Sequence, residues 1–123
     1  MAIPWKYVVP AGLAISTLII FIGYIYAVDS PLRIGPESIS RILGVQIVDV
    51  RSDPEWALGH YHGAIHIPIN KLEEQADGLL DRSRPVVVYC NTGQRSRAGA
   101  EKLKAMGFNA KYIAGPYWTL PQK

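Results

Sequence analysis

Apolar and polar positions divide the chain into two unequal parts. Residues 7–28 hold 22 positions without a charged side chain. At about 1.5 Å rise per residue, such a run can cross a hydrocarbon layer of roughly 30 Å. Leu13, Ile15, Leu18, Ile19, Ile20, Phe21, Ile22, Ile25 and Val28 give it bulk, and Trp5, Tyr7, Tyr24 and Tyr26 put amphipathic rings near both interfaces. The pattern predicts one transmembrane helix and a single-pass membrane protein. A cleaved signal peptide is a competing reading, but its apolar part usually runs roughly 7–15 residues, and a cut after Ala27 would leave bulky Ile25 where a small residue is wanted. A buried core helix is a second competitor, at odds with apolar residues on every side. Lys6 lies before the run and Arg33 and Arg41 after it, so basic residues do not say which side of the membrane carries the rest of the chain.

Beyond the run the pattern is that of a small folded domain. Asp29-Ser30-Pro31 breaks the helix, and residues 29–36 read as a linker. Residues 37–43 predict one or two helical turns, ended by Gly44. The β-branched stretch 45–50 predicts a strand that closes on Asp49-Val50-Arg51. Ser52 or Asp53 can cap a short helix, with Pro54 in its first turn and Glu55 at the end that favours negative charge. After a segment with Gly59 and Gly63 that ends at Pro68, Asn70 can cap a helix running to Leu80. Residues 86–89 predict a buried strand, 96–106 a helix with Gly99, Leu103 and Met106 on one face, and 110–114 another strand. Strands alternating with helices through short links predict a parallel α/β sheet covered on both faces. The implied organisation is an anchor at 1–28, a linker at 29–36 and one domain at 37–123.

Composition narrows what this domain can do. Residues 29–123 carry 12 Lys/Arg against 10 Asp/Glu, and that balance makes no case for nucleic acid. A single cysteine, Cys90, excludes an internal disulfide. His60, His62 and His66 share one extended stretch with no cysteine or carboxylate cluster at ligand spacing, so no metal site is expected.

The chemistry concentrates at Cys90-Asn91-Thr92-Gly93-Gln94-Arg95-Ser96, where a strand hands over to a helix. A thiolate is the reactive form of cysteine, and a free thiol has a pKa of about 8.5. Unpaired amides and the dipole at a helix amino end favour negative charge, and Gly93 allows a tight loop whose amides converge on an anion. Arg95 and Arg97 add positive charge nearby. The bland alternative is a buried cysteine acting as a small hydrophobe. The polar neighbours Asn91, Thr92, Gln94, Arg95 and Ser96 fit a wet mouth better than a core. Phosphatase or arsenate-reductase chemistry is the rival at the same loop. A cysteine-phosphatase loop resembles C-x5-R, and here the arginine position of that spacing holds Ser96 while Arg95 comes one residue early.

Three motifs in order then point to one family. The loop resembles the C-x-x-G-x-R-S active loop of rhodanese-domain sulfurtransferases. Asp49-Val50-Arg51 with Glu55 resembles that family's first signature, and residues 59–68 are similar to its G-H-I-x-G-A-x-x-I-P segment, with Tyr61 in place of an aliphatic residue. The resemblance implies a rhodanese fold with Cys90 as the catalytic residue, which takes a sulfane sulfur and holds it as a persulfide. Backbone amides of residues 91–95 would hold the terminal sulfur, with Asn91, Thr92, Gly93, Gln94, Arg95 and Ser96 forming the binding loop. Arg95 would orient an anionic donor such as thiosulfate, and cyanide, a small thiol or a protein cysteine would remove the sulfur. Asp49 and Arg51 would support the site, chiefly as a structural ion pair. One cysteine suffices for that cycle and no cofactor is implied. Where the family closes with a Gly-Gly pair and a tryptophan-containing helix, this chain has Ala114-Gly115-Pro116-Tyr117-Trp118 and ends at Lys123. That departure predicts a shortened closing helix and one thinly covered sheet face. It also keeps open a non-catalytic module that recruits a partner to the membrane.

Overall fold

The computed structural model describes residues 14–23 and 29–122. Residues 14–23 are helical (α1), and the expected span at 7–28 otherwise lies outside the described residues. Among the described residues no helix is long and apolar enough to cross a membrane.

Four parallel strands form one sheet in the order β2-β1-β3-β4. They are β1 (Gln46–Asp49), β2 (Ile65–His66), β3 (Val86–Tyr89) and β4 (Ala110–Ile113). Val48 pairs with Val88 and Val88 with Tyr112, so the two inner strands sit in register under the loop that follows β3. Every residue of β1 and β3 is buried. The reason is that alternate side chains enter two different cores. Val48, Val50, Val86, Val88, Ala110 and Tyr112 meet Leu72, Ala76, Ala100 and Leu103 from α3 (Leu72–Leu79) and α4 (Gln94–Ala105). Ile47, Val87, Tyr89 and Ile113 meet Ile39, Tyr61 and Leu120 on the other face.

The second face differs from the expectation of helical cover on both sides. Among the described residues it is closed by the 3₁₀ helix Pro36–Arg41, by Tyr61, and by the carboxyl-terminal segment around the 3₁₀ helix Tyr117–Thr119. Leu120 is buried there, and the Tyr61 hydroxyl donates to the Pro121 carbonyl at 2.6 Å, fastening that segment down.

The remaining differences have local causes. α2 (Asp53–Ala57) starts on a capping box, in which Ser52 and Glu55 bond each other's backbone amides. Asn70 does not cap α3, because a 3₁₀ turn, Ile69–Lys71, leads into the helix instead. α4 begins at Gln94 rather than Ser96, so part of the expected loop is already helix. The stretch read as a linker contains Leu32, which is buried, and Arg33, which bridges Tyr112 of β4. That stretch is fastened to the sheet edge.

Candidate active site

Cys90 follows β3 directly, at the carboxyl end of an inner strand and below the amino end of α4. Gly93 makes the turn between them, with a left-handed φ of 103° at the position that caps α4. The turn brings two backbone amides onto the sulfur. Gly93 N–H donates to Cys90 Sγ at 3.1 Å and Ser96 N–H at 3.4 Å. The helix amino end therefore spends two of its unpaired donors on the cysteine, an arrangement that holds a sulfur anion. Cys90 itself is buried within the larger core cluster, so the sulfur lies at the floor of the loop rather than in an open mouth.

Ser96 is also fully buried. Its hydroxyl donates to the Ile113 carbonyl at 2.9 Å and lies 3.4 Å from Cys90 Sγ, placed to accept the thiol proton. It thus ties the loop to β4 while its amide faces the sulfur. Thr92 and Gln94 are exposed on the outer side of the turn.

Asn91 and Arg95 both bond Glu55 of α2. Arg95 Nη1 and Nη2 grip the two carboxylate oxygens at 2.6 and 2.9 Å, and Asn91 Nδ2 adds a third bond at 2.6 Å. The Arg95 guanidinium, with help from Ser52, holds the Glu55 carboxyl far below the usual carboxylate range. Arg95 in turn is raised above the ordinary arginine value, first by the hydrogen bond to Glu55. The other loop cation, Arg97, pairs with Glu101 one turn along α4, at 2.9 Å.

Asp49 and Arg51 form a separate buried network. Arg51 Nη2 lies 2.7 Å from Asp49 Oδ2 and donates at 2.7 Å to the Gly59 carbonyl. The Tyr89 hydroxyl donates to Asp49 at 2.6 Å and receives the Tyr61 amide at 3.0 Å. Burial, followed by the bond to Asp49, pushes the Tyr89 hydroxyl well above the ordinary tyrosine value. This network holds the 59–61 turn against β1 and β3. The neighbouring histidines are committed as well. His60 stacks on Trp56 at 3.4 Å and donates to its carbonyl, and His66 stacks on Trp56 at 4.7 Å and donates to the Arg51 carbonyl.

The rhodanese-like domain model matches residues 37–117. The chain belongs to the rhodanese family. Among its relatives is the thiosulfate sulfurtransferase GlpE of Pseudomonas aeruginosa, 31% identical over 86 residues that cover 68% of this chain and 77% of the relative. The tRNA uridine(34) hydroxylase of Buchnera aphidicola is 31% identical over 71 residues, covering 54% of this chain but only 23% of that enzyme. Among solved structures, a rhodanese-related protein of Thermoplasma volcanium superposes with a TM-score of 0.58 at 32% identity, covering 64% of this chain and 78% of that one. A rhodanese homologue of Thermus thermophilus gives 0.56 at 29%, covering 72% and 99%.

Within this rhodanese the sequence-derived loop divides by task. Cys90, Gly93 and Ser96 converge on the sulfur, Asn91 and Arg95 bind Glu55, and Thr92 and Gln94 face outward. Sequence reasoning missed Glu55 as a loop partner and Tyr89 as the hub of the buried network. The capping pattern of Ser52 with Glu55 marks only the start of α2, and no local pattern signals the distant contact with Arg95.

Proposed function

We propose that this rhodanese is a sulfurtransferase that carries a sulfane sulfur on Cys90. The observation that carries the reading is the pair of amides, Gly93 at 3.1 Å and Ser96 at 3.4 Å, aimed at Cys90 Sγ from the amino end of α4. In the first half-reaction the thiolate attacks the outer sulfur of a donor. The donor S–S bond breaks and the remainder leaves with the bonding pair, as sulfite from thiosulfate or as a thiolate from an organic persulfide. In the second, cyanide, a small thiol or a protein cysteine attacks the outer sulfur of the Cys90 persulfide and the Cys90 thiolate returns. The thiosulfate sulfurtransferase among the relatives supports this chemistry.

Phosphoester or arsenate chemistry lacks its cation here. Ser96 occupies the C-x5-R arginine position and is buried, while Arg95 and Arg97 are paired with Glu55 and Glu101.

The same proposal places the domain at a membrane, held by residues 7–28 as a single-pass anchor. Its support is the uncharged run itself, together with the bare surface of α1, where Ile15, Leu18, Ile19, Ile20 and Phe21 are all exposed.

Intact-mass analysis of the full chain after incubation with a sulfane donor tests the chemistry. The expected result is a gain of about 32 Da, one sulfur, which cyanide removes and Cys90→Ala abolishes. Failure of thiosulfate and of glutathione persulfide alike to load Cys90 overturns the reading.

A further inference from the structure

Glu55 receives more polar contacts than a helix cap requires. Besides the backbone amide and hydroxyl of Ser52, at 3.1 and 2.8 Å, it binds Asn91 and both terminal nitrogens of Arg95. The carboxylate takes the end-on fork of the guanidinium, which is the edge that presents two parallel donors to an oxyanion. A sulfonate-like group of an incoming donor would need that same edge. The pair stands partly in water, with Arg95 37% and Glu55 29% exposed, so it lies on the solvent side of the loop rather than in the core. Arg97 offers no substitute, since it is paired with Glu101 at 2.9 Å. The backbone donors that face the sulfur are the Gly93 and Ser96 amides, and the loop's side-chain cations are each matched by a carboxylate.

Resting on the sulfurtransferase reading, we propose that Glu55 sets donor specificity by withholding Arg95, so that the site draws sulfur from organic persulfides in preference to thiosulfate. Thiosulfate brings two negative charges to a thiolate, beside a carboxylate and with no uncompensated cation to receive its oxygens. An organic persulfide, R–S–SH, carries no charge on its reacting sulfurs in the protonated form and needs no oxyanion contact there. The Cys90 thiolate attacks its outer sulfur, the R–S bond to that sulfur breaks, and R–S⁻ leaves with the bonding pair. The persulfide proton passes to solvent, leaving Cys90–S–S⁻ near the Gly93 and Ser96 amides. Nothing is oxidised or reduced overall. Glu55 acts here through Arg95 and is a positioning residue.

The test compares kcat/KM for thiosulfate and for glutathione persulfide on the full chain, with cyanide as the common acceptor. The wild type should favour the persulfide by at least about tenfold, the scale of one unmatched charge near a partly wet site. Glu55→Gln should raise the thiosulfate-to-persulfide ratio about tenfold, chiefly through the thiosulfate KM, and make thiosulfate use more sensitive to salt. The double variant Glu55→Gln/Arg95→Gln should return the ratio to within about threefold of wild type, because the gain requires the released guanidinium. A purely structural role for Glu55 would lower both activities together, and that result overturns the proposal. If Glu55→Gln does not fold, the wild-type ratio decides alone, and a preference for thiosulfate overturns the inference while leaving sulfur transfer intact. Loading of Cys90 by neither donor overturns sulfur transfer itself.

Discussion

At the scale of single residues, the site depends on where a few protons and charges are held. Glu55 is the clearest case, because its carboxyl lies well below the usual range through its bond to Arg95 and its contacts with Ser52. A carboxylate depressed in the folded state contributes stability above its unfolded pKa, and that contribution is lost as pH falls towards the folded value. The wild type should therefore be more stable than Glu55→Gln from pH 5 upward, by about 1 kcal/mol because the pair is partly solvated. That advantage should shrink steadily below about pH 4.5, where the unfolded carboxyl takes up its proton. Chemical denaturation of both proteins between pH 3 and 7 measures it, and a difference independent of pH would show that the lost charge is not the cause. Glutamine can still close the capping box, so the comparison isolates charge from helix capping. Little of this was legible in the chain. Glu55 and Arg95 are 40 positions apart, and no local pattern links a helix-capping acid to a distant loop. Cys90 was legible because its setting is local: an apolar strand, a glycine and a helix start in immediate succession.

At the scale of elements, Gly99 decides how closely α4 approaches the sheet. A Cβ built there would meet Val88 Cγ1 at 3.3 Å, with Leu72 Cδ2 and Val50 Cγ1 at 3.4 Å. Two of those neighbours are valines, whose branched side chains have little rotamer freedom to move aside. Gly99→Ala gains about 1 kcal/mol of helix propensity and loses a similar amount to crowding, so its net effect should be small. Gly99→Val adds two more carbons to the same gap and should cost about 3 kcal/mol. It should also slow sulfur loading, because α4 carries the Ser96 amide that faces Cys90. Denaturant unfolding and the rate of persulfide formation check the two effects, and a stable Gly99→Val protein with normal loading would show that the close approach is dispensable. The glycine's place on the inner face of α4 could be read from its spacing to Leu103. The true start of that helix could not, since Gln94 and Arg95 are polar and add nothing to an apolar period. β2 was missed as a strand for a related reason: two residues are too few to show alternation, and only pairing with Val48 and Asp49 defines them.

At the scale of the whole molecule, the stretch between the apolar run and the domain determines how the two are joined. Leu32 is buried in the larger core, Tyr112 N–H donates to the Leu32 carbonyl at 3.0 Å, and Ile34 N–H donates to the Tyr112 carbonyl at 2.9 Å. Residues 32–34 thus extend the sheet beyond β4, and only Asp29, Ser30 and Pro31 separate them from Val28. Two truncations should consequently behave differently. Removal of residues 1–28 takes away the proposed anchor and leaves Leu32 in place, so the domain should keep its melting temperature and stop floating with phosphatidylcholine vesicles. Removal of residues 1–35 also deletes Leu32 and the edge pairing, and should cost about 2–3 kcal/mol, the value of burying one large aliphatic side chain. Neutral vesicles make the measurement specific, because the small net charge of residues 29–123 gives no electrostatic attraction to an uncharged lipid surface. The full chain should float regardless of salt, as expected of apolar insertion. A full chain that stays in the aqueous fraction without detergent would end the anchor proposal. Flotation that survives removal of residues 1–28 would move the contact onto the domain, where Leu43, Leu58 and Trp118 are the most exposed large apolar side chains.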